Sequence, residues 1–194
     1  MNHPEAYSWS EPLPTLTSSR VVLRPIRHSD VAAYFAIFSD PETTRYWSRP
    51  PMQQMAEAES YVQRVIDGVT QRRVVQWAIA LPGADTAIGH VALHRIELDH
   101  RRAEVGFALS RTHWGGGLMS QALAMLIAFA FETMQLHRLE ADVDPRNASS
   151  LRLLARHGFV TEGHLRERFL VSGEWCDSVM LGLLRTEWDP SEGA

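Results

Sequence analysis

The stretch "RTHWGGGLMSQA", Arg111–Ala122, decides the fold. Three glycines, Gly115, Gly116 and Gly117, stand where an apolar run of helical spacing begins. Glycine is the costliest residue to order on folding, so three of them at a helix start need a reason. Downstream, Met119, Ala122, Leu123, Leu126, Ile127, Ala130, Phe131 and Met134 recur at i, i+3, i+4 and i+7, which predicts the strongest helix of the chain from Leu118. Upstream, "AEVGFALS" (Ala103–Ser110) reads as a strand. The first N–H groups of a helix lack internal partners and carry the positive end of its dipole. Glycines let an anion reach that backbone without a Cβ in the way. Strand, glycines, helix is therefore the layout of a phosphate cradle; the plainer alternative is a tight turn.

Two familiar phosphate loops are excluded. There is no Gly-x-x-x-x-Gly-Lys-Ser/Thr, so a Walker-type nucleotide triphosphatase is not expected. Gly-x-Gly-x-x-Gly fails at Ser120, and three successive strands between residues 74 and 110 contradict alternating βα units.

Outward from this point the chain reads as alternating elements. "RVVLRPIR" (Arg20–Arg27) is a strand, and "HSDVAAYFAIFSD" opens a helix with Ser29 or Asp30 as N-cap. Asp40-Pro41 ends that helix. Residues 53–72 form a second helix, and "VVQWAIAL" and "TAIGHVALHRI" are strands. After the long helix, "RLEADV" is a strand. Asn147 caps a helix that Gly158 stops. Two final strands meet at Ser172-Gly173. The sum is a mixed α/β domain around one sheet.

A chain of 194 residues with 45% apolar and 22% charged content suits one such domain. A net charge of -4 argues against a general nucleic-acid or membrane-surface binder. The lone Cys176 excludes an intrachain disulfide and a cysteine-based zinc site. The first residues lack the basic start and apolar core of a secretory signal, and Leu118–Met134 is too short and too periodic to span a bilayer, so a cytoplasmic protein is expected.

With the pieces assembled, the sequence resembles the GNAT superfamily of acetyl-CoA-dependent N-acetyltransferases, RimJ/RimL type. Four stretches carry the resemblance in order: "RVVLRPIRHSDVAAYF", "AEVGFALSRTHWGGGLMSQAL", "NASSLRLLARHGF" and "EGHLRERFLVSGEWCDSVMLGLLRTEW". It implies a GNAT fold, a mixed sheet of about six to seven strands flanked by about four helices. It implies an irregular arm over 1–19, the transferase domain over 20–188 and a tail over 189–194. The cosubstrate would be acetyl-CoA, with no metal. The backbone of Phe107, Ala108 and Leu109 would pair with the pantetheine arm like an added strand. The backbone of Gly115, Gly116, Gly117, Leu118 and Met119 would bind the pyrophosphate, and Asn147 and Ser150 would sit beside the thioester. The family usually has Gln or Arg three residues before its first motif glycine; here that position is Thr112, with Arg111 one residue earlier. Cofactor binding is therefore expected to rest on main-chain N–H groups more than on side-chain charge.

Acetyl transfer of this kind needs a neutral amine, a stabilised oxyanion and a proton for the thiolate. Glu104 is the candidate base: strand alternation places it on one face with Gly106 and Ala108, small neighbours that leave room for substrate. Its plainer reading is a surface glutamate paired with Arg101 or Arg102. Ser150 is the candidate proton donor, against the reading of a helix-start serine bonded to backbone. His90 and His94 share a strand face and would line an acceptor pocket rather than hold a metal; Tyr46 and Trp47 would stand at its mouth; Cys176 is expected to be buried and structural. The acceptor would be a peptide N-terminus or a small-molecule amine, the non-enzymatic alternative being an acyl-CoA-binding domain. Apolar edge strands would suit a homodimer.

Overall fold

The computed structural model describes residues 12–190; residues 1–11 of the expected arm and 191–194 of the tail lie outside the described residues. Strands β1 (Leu16–Thr17), β2 (Val22–Pro25), β3 (Val75–Ala80), β4 (Gly89–Glu97), β5 (Arg102–Leu109), β6 (Arg138–Val143), β7 (Val160–Val171) and β8 (Glu174–Leu184) form one sheet in the order β1-β2-β3-β4-β5-β6-β8-β7. That is eight strands rather than six to seven; the added one is the two-residue β1, which pairs Leu16 with Leu23. Helices are α1 (Val31–Phe38), α2 (Pro41–Thr44), α3 (Met55–Thr70), α4 (Leu118–Ala128) and α5 (Ala148–Arg156). The one beyond the expected four is α2, a single turn with Asp40 as its cap: Oδ1 accepts from Glu42 N–H at 3.2 Å.

Each element follows from its local pattern. All six residues of β3 are buried because helices cover both sheet faces. On one face Trp77, Ile79, Val91, Leu93, Val105 and Leu109 pack with Leu123, Leu126 and Ile127 of α4. On the other, Ala78 and Ala108 pack with Tyr34 and Phe38 of α1 and with Ala58 and Val62 of α3. The apolar period after Leu118 is α-helical only to Ala128; Phe129–Thr133 widen into a π turn, where Met134 N–H bonds to Phe129 C=O at 3.0 Å. The turn between β7 and β8 has positive φ at both Ser172 and Gly173 (50° and 88°), the geometry that suits a tight hairpin.

Asp30 stands at the N-cap position of α1, one of the two expected. Its side chain makes no cap bond to α1. Instead it is buried and takes Arg24 in a bidentate pair (2.6 and 2.9 Å) while accepting from Arg27 N–H at 2.8 Å. Three of its acceptor sites are thereby used, two of them by Arg24 of β2.

One departure from regularity positions the site. Every neighbouring pair is antiparallel except β5 and β6, which run parallel for three residue pairs, Arg102↔Arg138 to Glu104↔Glu140. Beyond Glu104 the two strands separate, and β5 leaves an unpaired backbone edge in the middle of the sheet.

Candidate active site

The splay opens into two cavities that meet at its centre. The first, about 580 Å³, runs between the end of β5, the glycine loop and the N-terminal turn of α5. The second, about 560 Å³, lies between the segment after α2, β4 and the β7–β8 hairpin. Phe107, Asn147 and Ser150 line both, as do Tyr46 and Trp47. A molecule in the first cavity can therefore present its end to one in the second at these residues.

The first cavity is built by the glycines. Gly115 and Gly117 have φ of 76° and 77°, the left-handed region that glycine enters freely. Gly117 is the residue before α4, and the first bond into the helix runs from Gln121 N–H to Gly117 C=O at 3.2 Å. The N–H groups of Leu118, Met119 and Ser120 are thus without intrahelical partners at the positive helix end. Of the residues expected to hold the cofactor, Phe107, Ala108, Leu109, Gly115, Gly117, Leu118, Met119 and Asn147 line this cavity; Arg111 and Gly116 do not. Arg111 is drawn aside by Asp40, with Nε 3.1 Å from Oδ2. Exposed Arg152 and Arg156 on α5 line it instead.

Along β5 the three candidate backbone positions are not equivalent. Ser110 N–H bonds to Ile88 C=O at 2.8 Å, so alternation turns the main chain of Ala108 toward β4 as well. Phe107 and Leu109 face the open edge. The Leu109 carbonyl there already accepts the indole N–H of Trp114 at 2.7 Å. Strand-like pairing with a bound arm falls to Phe107 and the Leu109 N–H.

At the start of α5, Asn147 Oδ1 accepts from Ser150 N–H at 3.1 Å and from the Ser149 hydroxyl at 2.9 Å. The Ser150 hydroxyl has no hydrogen-bond partner among the described residues, so the backbone-bonded alternative does not hold.

The second cavity holds Glu104, His90 and His94 on one sheet face: alternation pairs His90 with His94, and the register that sets His94 opposite Glu104 adds the carboxylate. Glu104 pairs with Arg95, Nη1 to Oε2 at 2.8 Å; Arg101 and Arg102 are occupied elsewhere, with Gln135 C=O and with Glu97 and Glu140. Burial pushes the Glu104 carboxyl above its usual range; Arg95 opposes this, and nearby Asp142 and Glu140 add to it. The ring of His94 lies over Gly106, where a Cβ would stand 2.6 Å from its Nε2. Burial lowers His94 as well, Arg95 assisting. It lowers His90 to about 3, aided by His94 and Arg49, so both rings are neutral at pH 7. Among the described residues no group of three or more His, Cys, Asp or Glu is placed to hold a metal ion. Cys176 is half-buried rather than buried and lines this cavity, with Arg146 Nη2 3.3 Å from its sulfur.

Two arginines here escaped the sequence reading. Arg95 sits in a β-bulge between His94 and Glu97 with φ of 45°, and the extra residue turns its side chain onto the Glu104 face. Arg49 places its guanidinium within 5.1–5.4 Å of the ring centres of Phe38, Trp47 and Tyr61. Its Nη2 and the Nδ1 of His90 are buried without partners among the described residues. A Trp–Ser–Arg run after a one-turn helix gives no periodic signal for such a box.

Comparison with known proteins agrees with this geometry. The family model described as "Acetyltransferase (GNAT) domain" matches residues 20–160. The chain is 33% identical over 174 residues to an uncharacterized N-acetyltransferase, p20, of Bacillus licheniformis, covering 90% of this chain and 98% of that one. It is 25% identical over 168 residues to the spermidine N(1)-acetyltransferase of Escherichia coli, covering 87% and 88%. The structure of Mycobacterium smegmatis RimJ in complex with CoA-disulfide superposes with a TM-score of 0.77 at 28% identity, covering 89% and 85%. No helix among the described residues is long and apolar enough to cross a membrane.

Proposed function

This chain belongs to the GNAT acetyltransferase family, and from that premise we propose that its acetyl acceptor is the α-amine of a peptide N-terminus, as in enzymes of the RimJ/RimL type. The protein is an N-acetyltransferase that takes its acetyl group from acetyl-CoA. The observation that carries the acceptor assignment is the charge of the second cavity. Its lining has five carboxylates (Glu104, Asp142, Asp144, Glu174, Asp177) against four guanidinium groups (Arg45, Arg49, Arg95, Arg146). Such near balance suits an acceptor with one charge that is lost on deprotonation. A polyamine would leave further cations without counterions.

Acetyl-CoA occupies the first cavity, its pyrophosphate on the N–H groups of Gly117, Leu118 and Met119 and its arm along Phe107 and Leu109. The thioester lies where the cavities meet. The acceptor enters the second cavity, and Glu104 takes its proton, directly or through a water. An α-amine needs only a weak base, since its own pKa is about 7.7–8.0. The amine nitrogen then attacks the thioester carbon. The C–N bond forms, the C–S bond breaks, the Ser150 hydroxyl protonates the departing thiolate, and the second proton shed by the nitrogen as the amide forms restores the serine hydroxyl.

The test is CoA release with a panel of peptides bearing free N-termini, the same peptides N-acetylated but carrying a lysine, and spermidine. The expected result is a kcat/KM for free N-termini at least about tenfold above that for spermidine. Equal or better use of spermidine contradicts the assignment.

A further inference from the structure

We propose that Arg20 is a positioning residue for the acetyl-CoA pyrophosphate, locking the Gly116–Gly117 peptide so that its N–H faces the phosphate. The inference rests on the placement of acetyl-CoA in the first cavity and is independent of the acceptor. Glycines bring a phosphate close to the backbone, but they also make peptide flips cheap. A flipped Gly116–Gly117 unit would aim a carbonyl oxygen at the anion. Something has to select one orientation.

The Arg20 side chain crosses from the chain just before β2 and donates from Nη2 to the Gly116 carbonyl at 2.6 Å, a short charge-assisted bond. In a trans peptide the carbonyl and the following N–H point in opposite directions. Gly115 and Gly117 line the first cavity and Gly116 does not. Holding the Gly116 carbonyl on the outer side therefore turns the Gly117 N–H inward, beside those of Leu118 and Met119.

The base of Arg20 is itself fixed. Ser18 Oγ accepts from the N–H of Arg20 (3.3 Å) and of Val21 (3.1 Å), and it bonds Gln121 of α4 at 3.1 Å. One turn thus ties the sheet edge to the helix whose start forms the cradle. No carboxylate pairs with Arg20 among the described residues, so its charge is uncompensated there. Nη1 stands 3.5 Å from the position a Cβ on Gly117 would take. Thr112 is uncharged and Arg111 is held by Asp40, so among the described residues Arg20 is the cation hydrogen-bonded to the glycine backbone.

The experiment uses two acetyl donors: acetyl-CoA, and S-acetylpantetheine, which has the same thioester arm and no pyrophosphate. Any amine that the enzyme turns over serves as acceptor. In Arg20→Gln the KM for acetyl-CoA should rise about tenfold with kcat within about twofold, while kcat/KM with S-acetylpantetheine stays within about twofold of the parent enzyme. Arg20→Lys should recover most of the loss, because it keeps the charge and one donor. An equal loss with both donors would show a general structural role and overturn the proposal. So would an unchanged KM for acetyl-CoA in Arg20→Gln. If the parent enzyme used both donors equally well, the cofactor placement would fail, and the proposal with it.

Discussion

Replacing Arg95 separates the two things that residue does. Its guanidinium meets Glu104 at 2.8 Å and holds the carboxyl down against burial; its backbone sits at φ 45°, where a side chain is strained. The Arg95 side chain is 61% exposed and that of Glu104 18%, so solvent screens the pair from the arginine side and it is worth about 1 kcal/mol, the upper end for exposed ion pairs. Its loss moves the protonation of Glu104 upward, because Arg95 is the nearest group holding that carboxyl down. The sign is fixed: without the cation the carboxyl keeps its proton to higher pH, and the base is lost earlier on acidification. Arg95→Ala and Arg95→Gly lose the same charge. Glycine also relieves the left-handed backbone, about 1 kcal/mol after its extra chain entropy is subtracted, or about 2–4 °C in Tm for a chain of this size. The assay is kcat/KM for a peptide acceptor at saturating acetyl-CoA from about pH 5 to about pH 9, taken as the ratio of variant to parent so that the ionisation of the amine cancels. Both variants should give the same ratio, flat at high pH and falling toward low pH, with the glycine variant melting higher. A ratio that is flat or rises on acidification would refute the role assigned to the ion pair. Equal melting temperatures would refute the strain.

Two further substitutions probe the cavities. Gly106→Ala puts a methyl 2.6 Å from His94 Nε2, so the ring must move by about 1 Å into the second cavity; the acceptor KM should rise about tenfold with the acetyl-CoA KM unchanged, and the reverse pattern would contradict the two-cavity assignment. Asn147→Ala removes the cap of α5 and should cost about 1 kcal/mol, read as a Tm lower by about 2–4 °C; an unchanged melting curve would contradict the cap.

The sequence carried the local features well. The glycine loop was readable because positive φ and unpaired helix N–H groups are properties of a short stretch. The face Glu104 shares with Gly106, and the one His90 shares with His94, each followed from the two-residue period of strands; that both sets look into one cavity is set by the β4–β5 register. Partners across the fold were not readable. Arg95 reaches Glu104 because a bulge adds a residue to β4, and alternation, carried past that point, puts Arg95 on the wrong face. Arg111 pairs with Asp40 across 71 positions, Arg20 reaches Gly116 across 96, and nothing local encodes either contact. The π turn at Phe129–Thr133 was hidden because a single widened turn barely disturbs an apolar period. The separation of β5 from β6, which creates both cavities, is a property of the sheet rather than of any residue run.

The most direct test of the account is Glu104→Gln with saturating acetyl-CoA and a peptide acceptor. Glutamine keeps the shape and removes the base. Because burial raises the Glu104 carboxyl, the native state disfavours the ionised form and loses stability as pH rises through that range, so the amide should leave the fold at least as stable at pH 7. The kcat of Glu104→Gln should be about 100-fold lower at pH 7 with the acetyl-CoA KM unchanged. A kcat within threefold of the parent would contradict the account.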